Sequence, residues 1–132
     1  MLLVDTNVLV DVLQNDPQWA DWSIAQMRAQ SSLHALVINP IIYAEMSLSF
    51  STLEALDDVV DTLALELREI PRPALFLAAK AYAQYRRRGG SKLQVLPDFF
   101  IGAHAAVEGW PLLTRDASWF RTYFPTLDVV AP

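Results

Sequence analysis

Four acidic residues interrupt apolar segments at widely separated points of the sequence. Asp5 ends the stretch LLVD, Glu45 ends IIYAE, Asp98 lies within VLPDFFI and Asp116 ends PLLTRD. The chain has no cysteine and no plausible pair of histidines, so hard carboxylate oxygens would favour Mg²⁺ or Mn²⁺ over softer metals. Such an ion lowers the pKa of a bound water and stabilises charge on phosphorus. If the four carboxylates converge, they therefore indicate metal-assisted hydrolysis of a phosphodiester.

The elements that must position these acids follow from short apolar runs that alternate with helical segments. We expect strands at LLVD, ALVIN, LREI, PLLT and LDVV. This alternation predicts a three-layer α/β/α sandwich with a mostly parallel central sheet of about five strands. In such folds ligands bind at the carboxyl ends of the strands, and all four acids are expected at that edge.

Proline, glycine and capping residues indicate where the helices begin and end. Asp16-Pro17 and Asn39-Pro40 each combine a cap with a proline at the first helical position. The predicted helices are VLVDVLQN, QWADWSIAQMRAQ, IIYAEMSLSF, STLEALDDVVDTLA, ALFLAAKAYAQYRRR and FFIGAHAAVEG. Gly89-Gly90 ends the fifth of these helices, and Pro97 with Asp98 opens the sixth.

Each acid also has an ordinary structural explanation when it is considered alone. Asp5 could cap the following helix, and Glu45 could lie on a solvated helix face. Asp98 could be a helix-start acid favoured by the helix dipole, and Asp116 could be a turn residue. Their joint placement at one edge of the sheet is what favours a functional site.

Length and composition indicate a single domain over residues 1–132, with enough apolar content (53%) to fill a core. The N-terminus does not have the pattern of a signal peptide, and no stretch reaches the roughly 18 apolar residues of a membrane helix. Together with the absence of cysteine, these features predict a cytoplasmic protein that does not interact with membranes.

The charge is unevenly distributed along the chain. Residues 1–70 carry two basic and eleven acidic residues (−9), whereas residues 71–132 carry eight basic and four acidic residues (+4), which gives the net charge of −5. This division fits a protein that holds cations at one place and an anion at another, but it also fits chance clustering on an acidic surface.

The basic segment RRRGGSK at residues 86–92 is the best candidate for contacts with the phosphate backbone of a nucleic acid. Its cations are Arg86, Arg87, Arg88 and Lys92. Arginine forks suit phosphate, but cations at a helix C-terminus also complement the helix dipole, and both roles remain open. Arg115 could contact the scissile phosphate, or it could neutralise the neighbouring carboxylates.

In this order, the segments DTNVLVDVL, YAEM, PDFFIGAHA and PLLTRD resemble a PIN-domain ribonuclease, and the likeness covers nearly the whole chain. The small size more narrowly resembles the toxin of a VapBC-type toxin–antitoxin pair. The resemblance implies a PIN-like fold, endonucleolytic cleavage of RNA that depends on Mg²⁺ (with Mn²⁺ as a possible substitute), a homodimer and a cognate antitoxin. The acidic quartet of the family corresponds to Asp5, Glu45, Asp98 and Asp116.

Polar residues beside this quartet extend the resemblance, with one departure. Asn7 and Thr114 match polar positions that flank the site in the family; Asn7 is expected to fix Asp5, and Thr114 to orient a water or a carboxylate. We interpret Thr6 as a turn and cap residue. Some relatives carry a further acid where this chain has Ser118, so the number of metal ions, one or two, remains open.

Two other functions are compatible with the sequence. One is a phosphatase of the haloacid-dehalogenase type with Asp5 as the covalent nucleophile, although Asn7 stands where such enzymes usually carry a second acid. The other is a non-catalytic binding module in which the acids hold a structural ion. The RNA that is cleaved, the identity of the antitoxin and the geometry of the dimer are not specified by the sequence.

Overall fold

The computed structural model describes residues 1–132, apart from the side chain of Leu93. Its centre is one sheet of five strands in which all neighbouring strands are parallel. The strands are β1 (Leu2–Val4), β2 (Leu36–Ile38), β3 (Glu66–Leu67), β4 (Leu112–Leu113) and β5 (Val129–Val130). They lie in the order β3-β2-β1-β4-β5, which confirms the predicted α/β fold class with a five-stranded parallel sheet.

Seven α-helices connect the strands. They are α1 (Thr6–Leu13), α2 (Ala20–Ser31), α3 (Pro40–Ser47), α4 (Leu53–Thr62), α5 (Arg72–Arg87), α6 (Leu96–Glu108) and α7 (Ala117–Tyr123), with a short 3₁₀ helix at Leu93–Val95. From β1 to β3 the chain moves towards one edge of the sheet, and from β3 to β5 it moves back across to the other. Right-handed crossovers therefore place α1–α4 on one face and α5–α7 on the other.

The strand residues are apolar because the central strands are covered on both faces. All three residues of β1 and of β2 are buried, as are both residues of β4. A parallel sheet that is covered by helices leaves no polar face, which explains why these segments do not alternate between apolar and polar residues. The charged residues at the strand ends are thus placed at the rim of the core.

The predicted helix start at Asn39-Pro40 is confirmed by its cap. Asn39 Oδ1 accepts a hydrogen bond from the Ile42 N–H at 3.0 Å, at the start of α3. The predicted start at Asp16-Pro17 was wrong: α2 begins at Ala20. The Asp16 carboxylate instead accepts two backbone N–H bonds within the preceding turn.

Two further differences concern the second half of the chain. The third strand is at Glu66–Leu67 rather than over LREI, and α7 was not predicted at all. In the part of the chain that the structure describes, no helix combines the length and the apolar character that crossing a membrane requires.

The strand order creates one position that suits a ligand. From β1 the chain crosses to β2 on one side, whereas β4 pairs with β1 on the other side. Such a reversal in strand order opens a crevice at the carboxyl ends of the two strands, here β1 and β4. Asp5 follows β1 directly, and Thr114 follows β4, so both lie at this crevice.

Candidate active site

The structure brings the four predicted acids together at the carboxyl edge of the sheet. They line one open pocket of about 310 Å³. The complete lining consists of Asp5, Thr6, Asn7, Val10, Glu45, Asp98, Arg115, Asp116 and Phe120. Residues from separate segments of the chain thus meet in a space large enough for an ion and a phosphate group.

Asp5 is the most buried of the four acids and is held at both carboxylate oxygens. It caps α1, and its Oδ1 accepts the Thr6 backbone N–H at 2.7 Å. Its Oδ2 accepts the Thr114 hydroxyl at 2.7 Å, and only 4% of the residue is exposed. The capping role that the sequence suggested is therefore real, and the same residue also lines the pocket.

Thr114 connects the acids of the first and fourth strands. Its hydroxyl donates to Asp5 and accepts the Asp116 backbone N–H at 3.0 Å and the Asn7 side-chain amide at 3.4 Å. Asn7 was expected to fix Asp5 directly. Its observed contacts are instead with Thr114 and with the Arg115 backbone N–H, which it accepts at 3.3 Å.

Glu45 reaches the pocket from the second turn of α3. The Thr6 hydroxyl donates to Glu45 Oε1 at 2.6 Å, a bond that joins positions 39 residues apart. The interpretation of Thr6 as only a turn and cap residue was therefore wrong, because its side chain orients a carboxylate of the site. The signal that could have identified it is its position next to Asp5.

Burial makes the charged forms of two acids unfavourable. Burial raises the pKa of Asp5 to about 6, although the hydrogen bonds from Thr114 and Thr6 oppose this shift. Burial, together with the charges of Asp5, Glu45 and Asp116, raises the pKa of Asp98 to about 7. The carboxylates therefore repel one another across a partly desolvated space.

Arg115 does not neutralise these carboxylates. Its Nε and Nη2 donate to the two oxygens of Asp11 at 2.6 and 3.0 Å, and its guanidinium lies 5.2 Å from the centre of the Trp19 ring. Asp11 is 3% exposed and also accepts the Ser23 hydroxyl at 2.9 Å. Among the described side chains, no basic group forms a salt bridge with any acid of the pocket.

Sequence reasoning missed Asp11. A local signal was present, because Asp11 interrupts the apolar stretch VLVDVL and follows Asn7 by one helical turn. Its basic partner, however, is 104 residues away, and nothing in the sequence links the two.

The basic segment lies outside the pocket. Arg86, Arg87 and Arg88 are exposed at the end of α5, and Lys92 is exposed in the loop that follows. Arg88 lies 5.7 Å from the centre of the Tyr123 ring on α7, the helix that also carries the pocket residue Phe120. All four cations thus lie on accessible surface, and Arg88 is placed beside the helix that borders the acidic site.

The donor set suits a hard divalent cation but is not arranged as a preformed cluster. Four carboxylates without cationic partners offer the oxygen ligands that Mg²⁺ and Mn²⁺ prefer. Within the described part of the chain, no three acidic or histidine side chains are close enough together to be a ready-made metal-binding group. Ser118 is exposed and does not line the pocket, so the position two residues after Asp116 adds no ligand here.

Comparisons with known proteins agree with this architecture. Among solved structures, the chain is similar to a chain in the structure of VapBC2 from Rickettsia felis bound to a DNA fragment from their promoter. The two chains are 18% identical, with a TM-score of 0.75, and the match covers 98% of this chain and 97% of the other. It is similar to a chain in VapBC-1 from nontypeable Haemophilus influenzae, with 17% identity and a TM-score of 0.74 over 98% and 96%. It also resembles a chain in FitAcB from Neisseria gonorrhoeae, with 20% identity and a TM-score of 0.68 over 100% and 98%.

At these identities the solved structures establish a shared fold. No curated protein matches the chain. The model of the PIN domain family matches residues 2–125, which is nearly the entire sequence. The chain therefore belongs to the PIN domain family, as the sequence resemblance predicted.

Proposed function

We propose that this protein is a divalent-metal-dependent endoribonuclease and the toxin of a toxin–antitoxin pair. Membership in the PIN domain family makes it a nuclease. The observation that supports the metal dependence is the single pocket lined by Asp5, Glu45, Asp98 and Asp116, none of which forms a salt bridge with a described basic side chain; Arg115, which also lines the pocket, is paired with Asp11. A site that concentrates negative charge is suited to a cation and cannot bind a phosphate without one.

The roles of the residues follow from their contacts. The four carboxylates would hold the ion, which when bound supplies an activated water and stabilises charge on the phosphate. The Thr114 hydroxyl holds Asp5, and the Thr6 hydroxyl holds Glu45, so two of the four ligands are oriented in advance. Below about pH 7, Asp98 keeps its proton in the free protein and must release it before it can act as a ligand.

The proposed substrate is RNA, as the resemblance implies. Exposed cations would position the RNA backbone at the edge of the acidic pocket; they are Arg88, which lies against Tyr123 of α7, and its neighbours Arg86, Arg87 and Lys92. Phosphate contacts of this kind fix orientation without reading sequence, so selection of a particular RNA would depend on its shape.

The proposed partners are a cognate antitoxin and a second copy of the chain. The similar chains from Rickettsia felis and Haemophilus influenzae belong to structures whose names, VapBC2 and VapBC-1, denote toxin–antitoxin complexes. The fold similarity covers nearly the whole of each chain, and it is on this likeness that we propose the same kinds of partner here. The cytoplasmic location stays a prediction.

The phosphatase alternative is less well supported by the geometry. Both oxygens of Asp5 accept short hydrogen bonds, which lowers the nucleophilicity of the carboxylate. Asn7 stands where a second acid would act, and its side chain is engaged with Thr114 and the Arg115 backbone. These contacts therefore disfavour covalent phosphoryl transfer at Asp5.

The decisive experiment is an RNA cleavage assay with the purified protein and a labelled structured RNA. We expect cleavage with Mg²⁺ or Mn²⁺ and none with EDTA. The Asp116→Asn variant should lose cleavage, whereas Asp58→Asn, which removes an exposed acid from α4, should cleave like the wild type. If Mn²⁺ raises the melting temperature but no RNA is cut, the binding-module alternative is correct and the nuclease proposal is wrong.

A further inference from the structure

We propose that Asp11 and Arg115 form a clamp that holds Asp116 in position and thereby sets the affinity of the site for its divalent cation. This inference rests on the proposed function, because it assigns a role to residues that support the metal site. The Asp11–Arg115 clamp lies outside the acidic quartet, and its members act through Asp116, so they are positioning residues.

The first argument is the geometry of the ion pair. Two nitrogens of the Arg115 guanidinium donate to the two carboxylate oxygens of Asp11, which fixes the guanidinium plane as well as its distance. The carboxylate is itself fixed, because it is buried in α1 and accepts the Ser23 hydroxyl of α2. The aromatic ring of Trp19 lies against the guanidinium. Arg115 is thus attached to a rigid part of the core.

The second argument is that one face of α1 forms hydrogen bonds with both the backbone and the side chain of Arg115. Asn7 and Asp11 are four residues apart and therefore project from the same side of the helix. Asn7 accepts the backbone N–H of Arg115, and Asp11 accepts its side chain. Since Asp5 caps the same helix, α1 links the acid after β1 directly to the segment that carries Asp116.

The third argument is the weakness of the other constraints on Asp116. This residue is exposed, and its side chain does not cap α7, which it precedes. Its own described tether is the backbone N–H bond to the Thr114 hydroxyl. The clamp immediately before it therefore limits how far the Asp116 carboxylate can move from the other ligands. Less conformational freedom is then lost when an ion recruits this ligand.

The clamp also has an electrostatic consequence. Arg115 lines the pocket, and without Asp11 its positive charge would be free to pair with a pocket carboxylate such as Asp116. It would then compete with the cation. By engaging Arg115, Asp11 keeps the pocket negative, so by this route the loss of Asp11 should weaken metal binding.

The test measures Mn²⁺ affinity in the absence of RNA, by isothermal titration calorimetry or by the EPR signal of free Mn²⁺. Arg115→Lys keeps the charge but lacks the two-pronged geometry, and we expect it to weaken Mn²⁺ binding by roughly 10- to 100-fold. Asp11→Asn should weaken Mn²⁺ binding by a similar factor. The double variant should bind Mn²⁺ no more weakly than whichever single variant binds it less tightly. The control Arg121→Gln, at an exposed position of α7, should bind Mn²⁺ like the wild type.

Several outcomes would overturn the proposal. If Arg115 acts only on RNA, Arg115→Lys should raise KM for RNA without changing the affinity for Mn²⁺. If Asp11 and Arg115 have independent roles, the effects of the two substitutions on Mn²⁺ binding should be additive. If Asp11→Asn does not fold, the partly exposed Arg115→Lys variant decides the question alone.

Hydrogen exchange provides a readout that does not require any metal. The Asp116 amide should exchange faster in Arg115→Lys than in the wild type, because the segment that positions its bond to Thr114 is loosened. Unchanged exchange would contradict the clamp. If the wild-type protein fails to bind Mn²⁺, the proposed function is refuted instead. The hydrogen-exchange measurement would then still show whether the clamp holds the Asp116 segment in place.

Discussion

Replacing Asp98 with asparagine should stabilise the metal-free protein at alkaline pH while it abolishes cleavage. Asp98 lies half-buried in the first turn of α6, and no described side chain donates a hydrogen bond to its carboxylate. Its pKa is raised to about 7 by burial and by the charges of the other three acids. An asparagine side chain at this position would keep the shape and remove the charge, so little is lost and a repulsive interaction disappears.

The size and the sign of the effect follow from the pKa shift. A rise from 3.8 to about 7 corresponds to roughly 4 kcal/mol at about 1.36 kcal/mol per pKa unit, which partial solvent exposure reduces to about 2 kcal/mol. The lost interaction with the N-terminus of α6 offsets less than about 1 kcal/mol of this gain. A carboxyl group whose pKa is raised by folding does not destabilise the protein below pH 3.8. The penalty grows from there to about pH 7 and is complete above it.

The measurement is the melting temperature of wild type and variant in EDTA between about pH 4 and pH 8.5. At the alkaline end we expect Asp98→Asn to melt roughly 3–6 °C higher, and at the acidic end the two should coincide. Asp58→Asn is the matched control, since an exposed acid should give no pH-dependent gain. A variant that is less stable at the alkaline end, or a difference that does not vary with pH, would refute the reasoning.

Three further predictions concern the surroundings of the acids. Thr114→Val removes the hydrogen bond that most strongly lowers the Asp5 pKa, so cleavage should fall roughly 10- to 100-fold and the acid limb of the pH–rate profile should move to higher pH. Replacing the arginines at 86–88 with glutamine should weaken RNA binding and reduce the slope of log Kd against log salt by up to about 2, measured by fluorescence anisotropy, with kcat unchanged. Asp11→Ala leaves Arg115 without its partner and should lower the free energy of unfolding in urea by about 2–4 kcal/mol; a loss below about 0.5 kcal/mol would contradict the burial of this pair.

The fold and the acidic pocket could be predicted because each depends on short-range patterns. Apolar strands without alternation specify a sheet that is covered on both faces, and the strand ends then share one edge. Asp5 and Asp116 are placed by that edge alone. Glu45 and Asp98 needed, in addition, the correct helix following β2 and the correct helix preceding β4, both marked by proline.

The features that were missed depend on tertiary contacts or on ambiguous local signals. Asp16 followed by proline starts a turn as readily as a helix, and here the carboxylate is satisfied within the turn. Helix α7 has only seven residues, too short for a helical period to stand out. The partner of Arg115 could not be chosen from the sequence, because Asp116 is adjacent and Asp11 is remote. The structure favours the remote acid.

The pairing of Arg115 with Asp11 rather than with an acid of the pocket affects both the stability of the protein and the charge of the proposed active site. Pairing Arg115 with Asp116 or Asp5 would relieve the repulsion that adds to burial in raising the pKa of Asp98, but it would also place a fixed cation in the pocket. Pairing it with the buried Asp11 leaves the repulsion in place and anchors the segment that carries Asp116. The pocket therefore remains electrostatically unfavourable until an external cation enters. Under the proposed function, the free energy that a divalent ion gains by relieving this repulsion would contribute to its binding by the four carboxylates.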